Sequence, residues 1–104
     1  MTKTETRIGS IVVVVEGTAF GNSPGTVTKI LSKQGAVPDS LFEAIGKRYP
    51  QVTVNNRTLM CEAKGMSHVY SVKRFLNKPA TYEHIDDLRP ATEEEKQSYR
   101  KSKQ

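Results

Sequence analysis

Residues 8–30 read IGSIVVVVEGTAFGNSPGTVTKI, and this stretch decides the fold. Its first apolar segment, Ile11 to Val15, is entirely β-branched, which is typical of a strand that is covered on both faces or that curves through a barrel. Glycine, asparagine, serine and proline crowd the loop that follows, and these residue types favour turns. A second apolar segment comes after the loop. The stretch therefore predicts a strand over about 9–16, a loop, and a strand over about 25–32.

The remainder of the chain predicts one internal helix. Apolar residues recur at helical spacing after Asp39 until Pro50 ends the pattern, so we expect a helix over about 39–49. Ser40 and Glu43 have the S-x-x-E spacing of a capping box, in which two side chains satisfy free amide groups of the first helical turn.

Beyond the helix, the pattern changes to a period of two. It predicts strands at about 57–63, 67–75 and 82–88, the last with a turn at Asp86-Asp87. Thr92 and Glu95 then repeat the capping-box spacing ahead of a charged terminal segment.

Two segments resemble parts of a known family. Residues 8–31 resemble the KOW motif of Src-homology-3-like barrels in ribosomal proteins and transcription elongation factors. Gly9 precedes the valine strand, Gly17 follows it, and Gly25 opens the closing element G-T-V-T-K-I. Residues 82–90, which include IDDLRP, resemble the last turn and strand that close such barrels.

The resemblance implies a mainly β fold, a β-barrel with α additions. We expect a disordered tail over 1–7, a small Src-homology-3-like barrel over 8–90 with a helical insertion at about 39–49, and a charged C-terminal short helix or tail over 91–104. The short basic chain also resembles small host-takeover proteins of tailed phages.

Length and composition limit the remaining possibilities. The 104 residues correspond to one domain. Cys61 is the single cysteine, so an intramolecular disulfide is excluded and a reducing compartment is favoured. No hydrophobic leader or membrane-length apolar run occurs. We expect a cytoplasmic protein, in the host cytoplasm if phage-encoded, with no membrane contact.

The charge balance permits a polyanion partner without requiring one. Sixteen Lys and Arg against eleven Asp and Glu give a net charge of +5. A positive field attracts phosphates, but a charge of this size also serves solubility alone.

Basic and aromatic residues alternate between 70 and 82, a pattern that suits phosphate contact with base stacking. In the alternative interpretation, Phe75 and one tyrosine belong to the core and the basic residues lie on a solvated face. Lys29 and Lys33 would extend the patch if they share its face. The candidate nucleic-acid contacts are Lys47, Arg48, Arg57, Tyr70, Lys73, Arg74, Lys78 and Tyr82.

The chemistry of an enzyme finds little support in the sequence. A Cys61–His68 nucleophile pair is conceivable across a hairpin, but a small buried thiol and a surface histidine are the favoured interpretation of these residues. Zinc-ligand spacings and phosphate-binding loops do not occur. We expect no catalytic residues, no metal, no cofactor and no small-molecule substrate.

Two functions therefore stay open. The first is a small non-enzymatic nucleic-acid-binding module, for DNA or RNA, linked to transcription, translation or host takeover. The second is a protein-interaction module or inhibitor that binds a host protein that handles nucleic acid. The loop over 18–24 favours the second, because it carries no charge where the family often has basic residues, and because Phe20 suits a protein contact.

Overall fold

The computed structural model describes residues 7–16, 22–50, 54, 57–63, 70–71 and 78–102, with the backbone alone for Tyr70 and Ser71. Six strands and two α-helices occupy the described part of the chain. The strands are β1 (Ile11–Val14), β2 (Val27–Lys33), β3 (Thr58–Glu62), β4 (Tyr70–Ser71), β5 (Pro79–His84) and β6 (Leu88–Pro90). The helices are α1 (Asp39–Arg48) and α2 (Glu93–Ser102), and short 3₁₀ turns cover Gln34–Ala36 and Ile85–Asp87.

The strands form one antiparallel sheet in the order β4-β5-β3-β2-β1-β6. The pairing of β2 with β3 shifts register between Ile30 and Ser32, and such an irregularity bends a strand. The fold is mainly β with helical additions, as the sequence predicted.

The hairpin predicted from residues 8–30 is present. Val12 lies opposite Thr28 in the β1–β2 pairing. Gly25 has a φ of +89°, which L side chains rarely adopt, and its N–H donates to the Val14 carbonyl over 2.7 Å. Both strands are shorter or shifted relative to the prediction, and Gly17 lies outside the described residues.

The middle of the β-branched run is covered on both faces, whereas Val15 at its end is 49% exposed. Val12, Val13 and Val14 are all at most 2% exposed, although neighbouring strand residues point to opposite faces. One face carries a buried group that we call the Ile30 cluster: Val12, Val14, Ile30, Leu59, Cys61 and Leu88. Helix α1 contributes to a second group, the Phe42 cluster: Val37, Phe42, Met60, Ala80 and Tyr82.

Helix α1 lies almost where the periodicity predicted it, but its first turn differs. The helix begins at Asp39 with Pro38 as its N-cap, and this cap position carries no side-chain hydrogen bond. Ser40 is therefore inside the helix, so the predicted capping box of Ser40 and Glu43 is wrong.

The strand predicted over 82–88 is also wrong in its bounds. Strand β5 begins at Pro79 and ends at His84, the 3₁₀ turn Ile85–Asp87 follows, and β6 continues from Leu88 to Pro90. The turn separates two strands that pair with different neighbours, β5 with β3 and β6 with β1. Most of the strand predicted over 67–75 lies outside the described residues.

The C-terminal segment is a helix along the part that is described, and the Thr92 capping box is confirmed. The Glu95 N–H donates to Thr92 Oγ1 over 3.1 Å, and the Thr92 N–H donates to Glu95 Oε1 over 2.8 Å. Of the tail expected over 1–7, only Arg7 is described. Neither described helix has the length and apolar character needed to cross a membrane.

Candidate functional site

A groove between α2 and the sheet brings together basic residues that are far apart in sequence. It has a volume of about 560 Å³, and we call it the Lys29 groove. Its lining residues are Lys29, Glu62, Ala63, Lys78, Pro79, Tyr99 and Arg100.

Strand register explains why these residues meet. Ile30 lies opposite Cys61 in the β2–β3 pairing, so Lys29 comes next to Glu62. Glu62 in turn lies opposite Ala80 at the start of β5, which Lys78 precedes by two residues. Lys29 on β2 and Lys78 just before β5 therefore lie on either side of β3, although 49 positions separate them in the sequence.

The hydrogen bond between Tyr99 and Glu62 fixes α2 beside this groove. The Tyr99 hydroxyl donates to Glu62 Oε2 over 3.1 Å, and the tyrosine is 7% exposed. Burial and the Glu62 carboxylate together raise the pKa of Tyr99 to about 12, so the hydroxyl stays a donor at neutral pH. Because Arg100 follows directly in the helix, this contact also sets its position at the rim.

A second groove of about 360 Å³ lies beside the first, and we call it the Lys96 groove. Arg7, Lys96 and Arg100 supply its charges, and the backbone around Gly9 and Ser10 supplies part of its wall. Lys96 contacts Glu93 over 3.5 Å, with Glu93 largely exposed, so this ion pair is weak. Arg100 lines both grooves.

Of the candidate nucleic-acid contacts, Lys78 lies in the Lys29 groove. Lys47 and Arg48 are exposed at the C-terminal end of α1, where the Arg48 guanidinium lies 5.9 Å from the Tyr49 ring centroid. Arg57 forms an ion pair with Asp86 and precedes Thr58, which pairs with His84 at the other end of the β3–β5 ladder. Arg57 lies level with Ile85, seven positions from Lys78, so at about 3.3 Å per residue the two are roughly 23 Å apart along the strands. The structure therefore does not bring them together.

The prediction that Tyr82 stacks on bases is wrong. The residue is 1% exposed, and its ring packs edge-to-face on Phe42 with centroids 5.9 Å apart. It belongs to the Phe42 cluster, as the alternative interpretation of this stretch had it. Phe20, Lys73 and Arg74 lie outside the described residues, as does the side chain of Tyr70.

Sequence reasoning missed the contribution of α2. Lys96 and Arg100 are four residues apart on one helix, and this spacing places them on the same face. The four-residue spacing of Lys96 and Arg100 could have identified a basic face of α2. The sequence alone did not show which strands this helix face packs against. Arg7 was likewise assigned to a tail.

A buried polar group lies on the same face of the sheet as the Ile30 cluster. Glu83 is fully buried, and its Oε1 accepts the Asn22 N–H over 2.6 Å. The Asn22 amide donates to Thr81 Oγ1 and to the Glu62 carbonyl, and this joins the loop before β2 to β3 and β5. Burial, reinforced by the charge of Asp87, raises the pKa of Glu83 to about 7 against the opposing effect of the Asn22 N–H.

Cys61 is enclosed by the same part of the fold. Its side chain is fully buried, and burial raises the pKa of its thiol, with the nearby Glu83 carboxylate acting in the same direction. A thiol in this environment is a poor nucleophile. His68, the other member of the nucleophile pair considered from the sequence, lies outside the described residues.

Within the described ranges, His, Cys, Asp and Glu side chains do not gather in groups of three or more that could hold a metal ion. Comparison of the chain with protein-family models, with curated proteins and with solved structures returned no match. The function must therefore be argued from the site itself.

Proposed function

We propose that the protein is a non-enzymatic nucleic-acid-binding module that contacts phosphates through the Lys29 groove. The observation that supports this most is the convergence of Lys29, Lys78 and Arg100 around one groove in a chain of net charge +5. Lysine and arginine side chains that neutralise phosphates supply most of the sequence-independent affinity for nucleic acid. Among the described lining residues, Glu62 is the one carboxylate; it is 9% exposed, and its Oε2 accepts the Tyr99 hydroxyl.

We further propose that the sheet is the Src-homology-3-like barrel that the KOW resemblance implies. Two findings support this. Strand β6 pairs with β1 directly after the turn at Ile85–Asp87, which is where the resemblance puts the closing strand. The irregularity in β2 is the kind of bend that lets one strand serve two halves of a barrel.

Binding of a fluorescent nucleic-acid duplex, measured by anisotropy between about 50 and 200 mM salt, tests the function. We expect the affinity to fall with salt, and the double variant Lys29→Gln/Lys78→Gln to lower the log–log slope by about two. The matched control, Lys33→Gln/Lys47→Gln, removes the same charge outside the groove and should keep the wild-type slope. It also tests whether Lys47 is a contact.

Two results would count against this function. If wild-type protein does not bind the duplex at about 50 mM salt, the phosphate-contact proposal fails, and the protein-interaction module becomes the better interpretation. If the control variant loses as much as the groove variant, the attraction comes from net charge and not from the groove.

A further inference from the structure

We infer that the Lys29 groove and the Lys96 groove form one continuous basic track that binds the phosphodiester backbone of a nucleic-acid duplex. This inference rests on the proposed function and specifies its ligand. The track consists of Lys78, Lys29, Arg100, Lys96 and Arg7.

Continuity follows from strand pairing as well as from the shared Arg100. Lys29, in the first groove, lies directly opposite Ile11, in the second. Residues directly opposite in an antiparallel pair point to the same face, with Cβ atoms about 5 Å apart. The two grooves are therefore neighbours on one face of the sheet, with α2 lying against β2 between them.

The length of the track excludes a single phosphate group as its full occupant. It crosses the sheet from β5 over β3 and β2 to the residues that precede β1. Three inter-strand steps of about 4.8 Å give a span of roughly 14 Å. A duplex presents one charge per about 1.7 Å of its axis, so its backbone can meet several of these cations at once.

The charges along the track are nearly all of one sign. Five cationic side chains and one carboxylate line the two grooves within the described residues. Arg100 lies in the last turn of α2, where the helix dipole favours cations. Among the described residues, Glu93 is the carboxylate that pairs with the track at its surface, and its contact with Lys96 is weak.

Among the described residues that line the track, no aromatic ring is exposed, and this favours a duplex over a single strand. Proteins that bind single strands stack bases on exposed aromatic rings. Tyr99 is the aromatic residue in the described lining of the two grooves, and it is 7% exposed with its hydroxyl engaged by Glu62. The described lining therefore offers contacts to the phosphodiester backbone but no ring on which a base could stack. A duplex suits such a surface, because its bases are already stacked on one another.

The test compares salt dependence for variants of each groove on the same labelled duplex. With five phosphate contacts, wild-type affinity should fall about 500-fold between about 50 and 200 mM salt. Arg7→Gln/Lys96→Gln and Lys29→Gln/Lys78→Gln should each fall only about 40-fold, since three contacts remain. Arg100→Gln, which changes one exposed residue, should give about 150-fold. Lys33→Gln also removes one exposed charge, but Lys33 lines neither groove, so this variant should match wild type. Circular dichroism verifies the fold of each variant.

The outcomes separate this inference from the proposed function. A wild-type salt dependence in Arg7→Gln/Lys96→Gln, beside a loss in Lys29→Gln/Lys78→Gln, would overturn the track and leave the Lys29 groove as the phosphate site. Wild-type behaviour in both would overturn both proposals. If Arg7→Gln/Lys96→Gln unfolds, the single variant Lys96→Gln decides the matter, because Lys96 lines only the second groove and its loss should reduce the fall in affinity to about 150-fold.

Competition experiments test the ligand. Adenosine monophosphate should not displace the duplex, because it can occupy only part of the track. Displacement by polyglutamate of equal charge at a lower concentration than unlabelled duplex would overturn the inference in favour of an acidic protein partner. Tighter binding of a single strand of equal length would overturn the duplex assignment.

Discussion

Gly25 is the residue whose backbone sets how the chain enters β2. Its φ of +89° is one that an L side chain adopts only with strain, while a Cβ built at this position would meet no heavy atom within 4 Å. We therefore expect Gly25→Ala to lower the free energy of unfolding by about 1–2 kcal/mol through the backbone alone. Urea denaturation measures this.

Gly35 supplies the matched control for that prediction. A Cβ there also meets nothing within 4 Å, and its φ lies outside the positive range. Gly35→Ala should change the free energy of unfolding by less than about 0.5 kcal/mol. Equal losses in the two variants would contradict the assignment of the Gly25→Ala loss to the positive φ of Gly25.

Single residues show where sequence reasoning stops. The placement of Gly25 followed from its turn-rich surroundings, because few residue types tolerate positive φ. Tyr82 was misassigned because a period of two identifies two faces without saying which one α1 covers. Glu83 could not be foreseen as buried, since glutamate is almost never fully buried unless paired, and its partner is the backbone of Asn22, 61 positions away.

At the level of elements, the two helix starts make a direct comparison. Thr92→Ala removes a side chain that caps α2, and we expect a loss of about 1 kcal/mol with faster amide hydrogen exchange in the first turn of α2. Ser40→Ala changes a residue with the same sequence spacing, but α1 begins before it and its cap carries no side-chain hydrogen bond. It should leave stability and exchange in α1 almost unchanged.

The contrary result would be informative for α1. An equal loss in Ser40→Ala would mean that Ser40 caps the helix in solution and that α1 begins two residues later. Only then would the S-x-x-E spacing have predicted both helix starts.

Elements with a local signal were predictable, and those defined by distant pairing were not. The hairpin of β1 and β2 and helix α1 follow from β-branched runs, turn residues and helical spacing. The sequence pattern predicted a single strand over 82–88 with a turn at Asp86-Asp87. The structure instead has two short strands, β5 and β6, on either side of the 3₁₀ turn Ile85–Asp87. Only their separate partners, β3 and β1, distinguish the two strands.

At the scale of the whole molecule, the candidate site depends on the same distant pairing. Lys78 was recognised from its basic and aromatic neighbours, but the grooves need the order β5-β3-β2-β1 and the docking of α2. Net charge could be read from composition, whereas the meeting of Lys29, Lys78 and Arg100 at one groove could not. Arg57, paired with Asp86 at the opposite end of the ladder, shows that basic residues of similar sequence context end on different surfaces.

Two carboxylates with opposite pKa shifts make the stability of the molecule depend on pH. The folded state raises the pKa of Glu83 from 4.5 to about 7, so it binds more protons than the unfolded chain in that window. The free energy of unfolding therefore falls as pH rises from 4.5 to 7. For Glu95, hydrogen bonds from Arg89 and Thr92 lower the pKa to about 2. The contribution of Glu95 to the free energy of unfolding is therefore lost as pH falls below 4.5. Together they favour maximal stability near pH 4.5.

Glu83→Gln tests this prediction, because the amide oxygen can still accept the Asn22 N–H while the side chain no longer titrates. Wild-type protein should lose at most about 3 kcal/mol of unfolding free energy between about pH 4.5 and 7, and the variant should lose much less. Urea denaturation across this range measures both. Glu43→Gln, an exposed change on α1, should keep the wild-type profile. A level wild-type profile would mean that Glu83 is already ionised at pH 5, and that the Asn22 N–H outweighs both burial and the charge of Asp87.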